Sequence, residues 1–122
     1  MTDTSLDSFS CGAVWFCSFP FEDTDEVRRR PVIVLNVYEE TLEILSVKVT
    51  SQDVREYDEF DMPIIHWREA GLDRPSTARI SKSILLPKDV FVHFLGNLVP
   101  EDLDKVIEHY SAYVMTLVSP AE

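Results

Sequence analysis

Arg28–Ser51 reads RRRPVIVLNVYEETLEILSVKVTS, and the pattern of this stretch decides the fold. Pro31–Val37 (PVIVLNV) is dominated by β-branched residues and carries proline at its first position, where a ladder requires no donor; it predicts a strand. Tyr38–Thr41 makes a short reversal. Leu42–Thr50 (LEILSVKVT) predicts the returning strand, with Leu45, Val47 and Val49 on one face and Ser46, Lys48 and Thr50 on the other. The two strands form a hairpin, so the start of one lies beside the end of the other. Arg30 and Thr50 are therefore expected to be neighbours.

Upstream, Ala13–Phe19 holds Val14, Trp15, Phe16 and Phe19 with small residues between them, which suits a strand covered on both faces and ended by Pro20. Phe21–Arg30 (FEDTDEVRRR) predicts a charged, exposed loop. The polar segment before Gly12 is expected to fray, so residues 1–11 read as a flexible tail and 12–118 as one domain. Downstream, Phe60–Ile65 (FDMPII) predicts an edge strand because it contains Pro63. His66–Ala70 predicts one helical turn stopped by Gly71, and Asp73-Arg74-Pro75 predicts a turn. Ser76–Ser83 and Phe91–Leu95 predict further strands. Pro100 opens a helix whose Leu103, Val106, Ile107, Tyr110, Val114 and Leu117 follow a helical period, with Glu101, Asp102 and Asp104 at its positive end. Short strands with almost no helix before Pro100 point to a mainly β chain, a small barrel or rolled sheet closed by one C-terminal helix.

Composition narrows the function. The chain has 122 residues, of which 45% are hydrophobic and 27% charged, as in one globular domain. Its 22 acidic and 11 basic side chains give a net charge of −11, which repels polyanions on average and makes any nucleic-acid contact a local one. No apolar run approaches the roughly 20 residues that span a bilayer, and no signal peptide is visible; no membrane association and a cytoplasmic location are expected. Cys11 and Cys17 flank an extended segment that holds their Cα atoms about 20 Å apart, so both are expected as free thiols. His66, His93 and His109 lack metal-ligand spacing, and no P-loop, GxGxxG, HExxH, nucleophile elbow or CxxC occurs; neither a metal nor a cofactor is expected.

What remains is positional. Arg28-Arg29-Arg30 delivers three guanidinium groups to the mouth of a strand, where their planar forks suit phosphate oxygens. With Thr50 and Lys48 on the adjoining strand they form a set able to stabilise growing negative charge on phosphorus. The same arginines also read as ion-pair partners of the acids in EDTDE, and Thr50 with Ser51 as a simple strand end.

The succession GAVWFCSFPFED, RRRPVIVL, ILSVKVTS, WREAGLDRPSTARISK and FLGNLVPEDLDKVIEHY resembles the PemK/MazF family of toxins from type II toxin–antitoxin modules, over roughly Gly12 to Tyr113. The resemblance implies an SH3-like β-barrel with a C-terminal α-helix, the CcdB/PemK-like architecture, assembled as a homodimer. It implies a growth-inhibiting, metal-independent endoribonuclease that cuts single-stranded mRNA to 2′,3′-cyclic phosphate and 5′-hydroxyl ends and is silenced by a cognate antitoxin. Two positions are carried over as catalytic: Arg30, which would stabilise the phosphorane, and Thr50, which would hold the scissile phosphate. Arg29, Lys48, Ser51, Arg79 and Lys82 are then expected to position flanking phosphates, and Phe21 to stack a base; Trp15 reads as core or as a second stacking platform. Arginine is too weak an acid to serve as the base, so a water, a substrate oxygen or a neighbouring group is required. Two other readings stay open: a non-catalytic SH3-like module that binds a protein, and a related barrel acting on DNA topology through a bound protein.

Overall fold

The hairpin expected around Tyr38–Leu42 stands at the centre of one antiparallel sheet. In the computed structural model, which describes residues 9–20 and 27–118, the strands are β1 (Ala13–Pro20), β2 (Val27–Tyr38), β3 (Glu43–Thr50), β4 (Asp61–Ile64), β5 (Ser76–Pro87) and β6 (Phe91–Asn97), followed by helix α1 (Pro100–Val118). Their order across the sheet is β4-β5-β3-β2-β1-β6. The chain is thus mainly β with one C-terminal helix, and Pro63 lies on an edge strand as its missing donor requires. Register between β2 and β3 pairs Val32 with Lys48 and Val34 with Ser46.

Two strands are longer than the sequence suggests. The loop expected over Phe21–Arg30 is corrected at its end: Val27, Arg28, Arg29 and Arg30 belong to β2 and pair with Pro20, Phe19, Ser18 and Cys17. The ladder is made by backbone groups, so β1 holds these residues in extended form whatever their charge. Residues 21–26 of that loop lie outside the described residues. Likewise β5 continues past Ser83 to Pro87 because Glu43–Val47 supply partners for it. Between Ser83 and Arg79 the pairing with β3 jumps, leaving Ile80, Ser81 and Lys82 out of the ladder; the bend rolls the sheet.

Rolling separates two apolar cores. The inner one gathers Val14, Ile33, Val47, Ile64, Ile80 and Val106, and α1 covers it with Leu103, Tyr110 and Tyr113. The outer one gathers Cys17, Val32, Val34, Ile44 and Phe91. Phe9 completes it, only 6% exposed and stacked on Trp15 at 4.4 Å between ring centres. Of the tail expected over residues 1–11, residues 1–8 lie outside the described residues, while Phe9 is packed. On α1 the apolar stripe is narrower than its periodicity predicts: Ile107 is 43% and Leu117 64% exposed. Asp102, expected to complement the helix dipole, is buried and accepts hydrogen bonds from the backbone N–H groups of Ile65 (3.3 Å) and His66 (2.8 Å). Among the described residues no helix is long and apolar enough to cross a membrane.

The turn after β4 closes the roll. Its last residues form a Schellman end, with the Gly71 N–H donating to Arg68 O (3.0 Å) and the Leu72 N–H to Trp67 O (3.1 Å), and Gly71 at φ +88°. A Cβ on Gly71 would stand 2.1 Å from the carbonyl oxygen of Leu95, and one on Gly96 would stand 2.8 Å from that of Ala70. Backbone therefore meets backbone where β6 passes the turn. Gly71→Ala combines a left-handed φ with that collision and is expected to destabilise the fold by on the order of 2–3 kcal/mol, measured as a lower urea midpoint at unchanged slope.

Candidate functional site

Where β1 and β2 run on beyond the end of β3, the 71–76 turn faces them across a cleft of about 420 Å³. One wall is Arg29, Arg30 and Pro31 of β2; the end of β3 adds Val49, Thr50 and Ser51; the opposite wall is Gly71, Leu72, Asp73, Arg74 and Ser76. Phe16 and Leu95 also line it. The β2–β3 ladder ends at Val32↔Lys48, two residues short of Arg30 and Thr50, and both of these residues line the cleft. Arg29 and Arg30 are exposed. Arg74 and Asp73 approach each other at 3.4 Å with side chains 64% and 83% exposed, a contact worth little in water. Among the described residues, the charged ones that line the cleft are Arg29, Arg30, Arg74 and Asp73.

Thr50 is set by the bend that follows it. Its Oγ1 accepts from the Gln52 N–H at 3.2 Å, which leaves the hydroxyl hydrogen for a ligand. The bend is tied to β5: Thr77 Oγ1 donates to Gln52 O (2.7 Å), and Arg79 Nη2 donates to Gln52 Oε1 (2.9 Å). Behind it Asp61, its side chain wholly buried, takes a bidentate pair from Arg55 at 2.8 Å and 2.8 Å, a bond from the Arg55 backbone at 3.0 Å, and the Arg79 Nε approach at 3.9 Å. Asp58 accepts from Arg55 Nη2 (2.9 Å), from the Phe60 N–H (2.9 Å) and from the Ser81 hydroxyl. Burial pushes the Asp61 carboxyl up, but the hydrogen bonds of Arg55, with the charges of Arg55 and Arg79, outweigh it and hold the group below its ordinary 3.8.

The residues singled out from the sequence divide. Arg29, Arg30, Thr50 and Ser51 meet in the cleft. Lys48 stands on β3 opposite Arg79 and outside the cleft lining; Lys82 is exposed in the bulge of β5. Arg79 is engaged with Gln52 and Asp61. Phe21 lies outside the described residues. Trp15 is in the outer core with Phe9, Phe91 and Phe94 around it. Both cysteines are free; Cys17, beside Arg30 on β1, is buried and burial pushes its thiol up to about 12, so it is uncharged at neutral pH. His66 contributes its backbone N–H to Asp102, while the His109 ring lies 2.9 Å from Lys105 O. Sequence reading missed Asp73 and Arg74, seen there only as a turn, and the Arg55–Asp61 pair, whose members are joined by folding across a polar loop with no local signal.

A family model described as the PemK-like, MazF-like toxin of type II toxin–antitoxin systems matches residues 10–111. Among solved structures the fold is similar to MazE–MazF (Form-III) from Deinococcus radiodurans, at 15% identity over 85% of this chain and 94% of that one, with a TM-score of 0.67. The Mycobacterium tuberculosis toxin MazF-mt6 is similar at 15% identity over 84% and 95%, TM-score 0.65. An endoribonuclease in complex with its cognate antitoxin, from a mycobacterial species, is similar at 15% identity over 91% and 96%, TM-score 0.64. Comparison with curated proteins gives no match.

The Asp61 cluster gives the loop beside the cleft a pH dependence of fixed sign. A carboxyl held low in the folded state adds stability that is complete above the unfolded value near 4 and is lost as pH falls below it. Asp61→Asn is expected to be less stable than wild type at pH 7 and to lose less stability between pH 5 and 3. Urea midpoints across that range compare the two slopes.

Proposed function

Because the chain belongs to the PemK-like, MazF-like toxins of type II toxin–antitoxin systems, we propose that the cleft is the active site of an endoribonuclease. It cuts single-stranded mRNA without a metal and leaves 2′,3′-cyclic phosphate and 5′-hydroxyl ends. The observation that carries this reading is that Arg30 and Thr50 both line one cleft of about 420 Å³, large enough for a phosphodiester and its sugars. The names of two similar structures, one an endoribonuclease and one a MazF toxin, support the same reaction class.

In that reaction the ribose 2′-oxygen attacks phosphorus and loses its proton to a bound water or a substrate oxygen, while the bond from phosphorus to the 5′-oxygen breaks and that oxygen takes up a proton from water to leave as a hydroxyl. Negative charge grows on the non-bridging oxygens. The Arg30 guanidinium pairs with them through its fork, and the Thr50 hydroxyl, its oxygen already accepting from the Gln52 N–H, donates its hydrogen to one of them. Arg29, Ser51 and Arg74 line the same cleft and hold flanking phosphates, which fixes register without reading sequence. Lys48 and Lys82 add charge along the approach, and Phe21 stacks a base.

The same cations suit an acidic, extended antitoxin segment; one similar structure is an endoribonuclease in complex with its cognate antitoxin, and another is a MazE–MazF structure. A homodimer fits the exposed Ile84, Leu85, Val92 and Phe94. Cytoplasmic mRNA as substrate sets the working location.

Long single-stranded RNA incubated with the protein in EDTA and mapped at its new ends tests the class. Cyclic phosphate ends are expected. Arg30→Ala and Thr50→Ala should each lower the cleavage rate about 10²–10³-fold, with unchanged urea midpoints. Full cleavage by either variant would overturn the assignment, and no cleavage of any single-stranded RNA would favour a protein-binding module instead.

A further inference from the structure

Gln52 lies in a polar bend and is exposed, yet three of its atoms are tethered: the N–H to Thr50 Oγ1, the carbonyl oxygen to Thr77 Oγ1, and Oε1 to Arg79 Nη2. An exposed amide side chain gains little from such order, because water would satisfy it equally well. The arrangement instead makes the bend rigid. A threonine side chain turns about χ1, and an acceptor bond from a fixed donor holds its oxygen in one rotamer with the hydroxyl hydrogen left to point away from that donor.

Arg79 has an equally pointed position. Its side chain is 17% exposed, and its Nε is buried with no hydrogen-bond partner, 3.9 Å from the Asp61 carboxylate. The bond to Gln52 Oε1 is thus a main anchor of the guanidinium, and the buried Asp61, saturated by Arg55, keeps the charge in place. A fork so enclosed is poorly placed to receive a phosphate oxygen. We infer that Arg79 and Gln52 are positioning residues: Arg79, seated against Asp61, fixes Gln52, whose N–H sets the rotamer of the Thr50 hydroxyl. This rests on the assignment of Thr50 to the reaction, and it replaces the phosphate-positioning role expected for Arg79 from the sequence.

The test is a double-mutant cycle with Arg79→Gln and Gln52→Leu. Gln52 is a surface residue, so the second variant probes the contact even where the first disturbs folding. Each is expected to lower kcat about tenfold with KM changed less than twofold, since a misdirected hydroxyl costs rate and leaves binding intact. The double variant should be no worse than either single one. In the Thr50→Ala background neither change should lower the rate further. Scalar couplings that report the Thr50 χ1 angle should show one rotamer in the wild type and averaging in both variants. A raised KM with a shallower salt dependence for Arg79→Gln would make Arg79 a phosphate contact and overturn the inference. So would a single Thr50 rotamer in both variants, whether or not RNA is cut. Full activity of Thr50→Ala alone would instead remove the reading of the active site on which the inference rests.

Discussion

The rolled sheet depends on a place where two stretches of backbone touch with no side chain between them. Gly71 approaches the Leu95 carbonyl and Gly96 approaches that of Ala70, at separations that no Cβ fits. Strand pairing alone does not close the structure, for β4 and β6 are opposite ends of the strand order. The glycine contact brings the end of β6 against the turn that follows β4, and Asp102 of α1 fastens the start of the same turn by two backbone amides. The far wall of the cleft is made from the residues that come next, Leu72 to Ser76. Shape of the site and closure of the fold are one event.

Charge is arranged on a shorter scale than the net value suggests. At physiological salt, fields fade over about 8 Å, so a polyanion at the cleft responds to the charged residues that line it, Arg29, Arg30, Asp73 and Arg74, more than to distant ones. Distant acids still matter for encounter, since they slow approach of an anionic partner and disfavour loose, sequence-blind attachment. The acidic surplus also leaves a buried carboxylate such as Asp61 dependent on Arg55 and Arg79 close by.

Features carried by local pattern were legible in the sequence. The β2–β3 hairpin follows from alternation around Tyr38–Leu42, the edge position of β4 from Pro63, the end of the 66–70 turn from Gly71, and the bordering of one cleft by both Arg30 and Thr50 from the hairpin. Features decided by tertiary pairing were not. A triple arginine reads as loop, yet β1 offers it a ladder; Phe9 reads as tail, yet Trp15 offers its ring a face. Ile107 and Leu117 fit the helical period, but the groove α1 fills is only as wide as the Leu103–Val106–Tyr110–Tyr113 line. The ties among Gln52, Thr77, Arg79, Asp61 and Arg55 join residues separated by up to 27 positions, and nothing in the neighbourhood of any one names its partner.

Cys17 sits on β1 directly across from Arg30, wholly enclosed and with its thiol held uncharged, while Cys11, six positions earlier, is open to solvent. Alkylating reagents and peroxide act on accessible thiolate, so in the native molecule they reach the first sulfur and spare the second. Modification of Cys17 requires the outer core over it, with Phe9, Ile44 and Phe91, to open, which ties its labelling rate to transient opening of that core. One chain thereby holds an internal reference and a reporter of its own breathing.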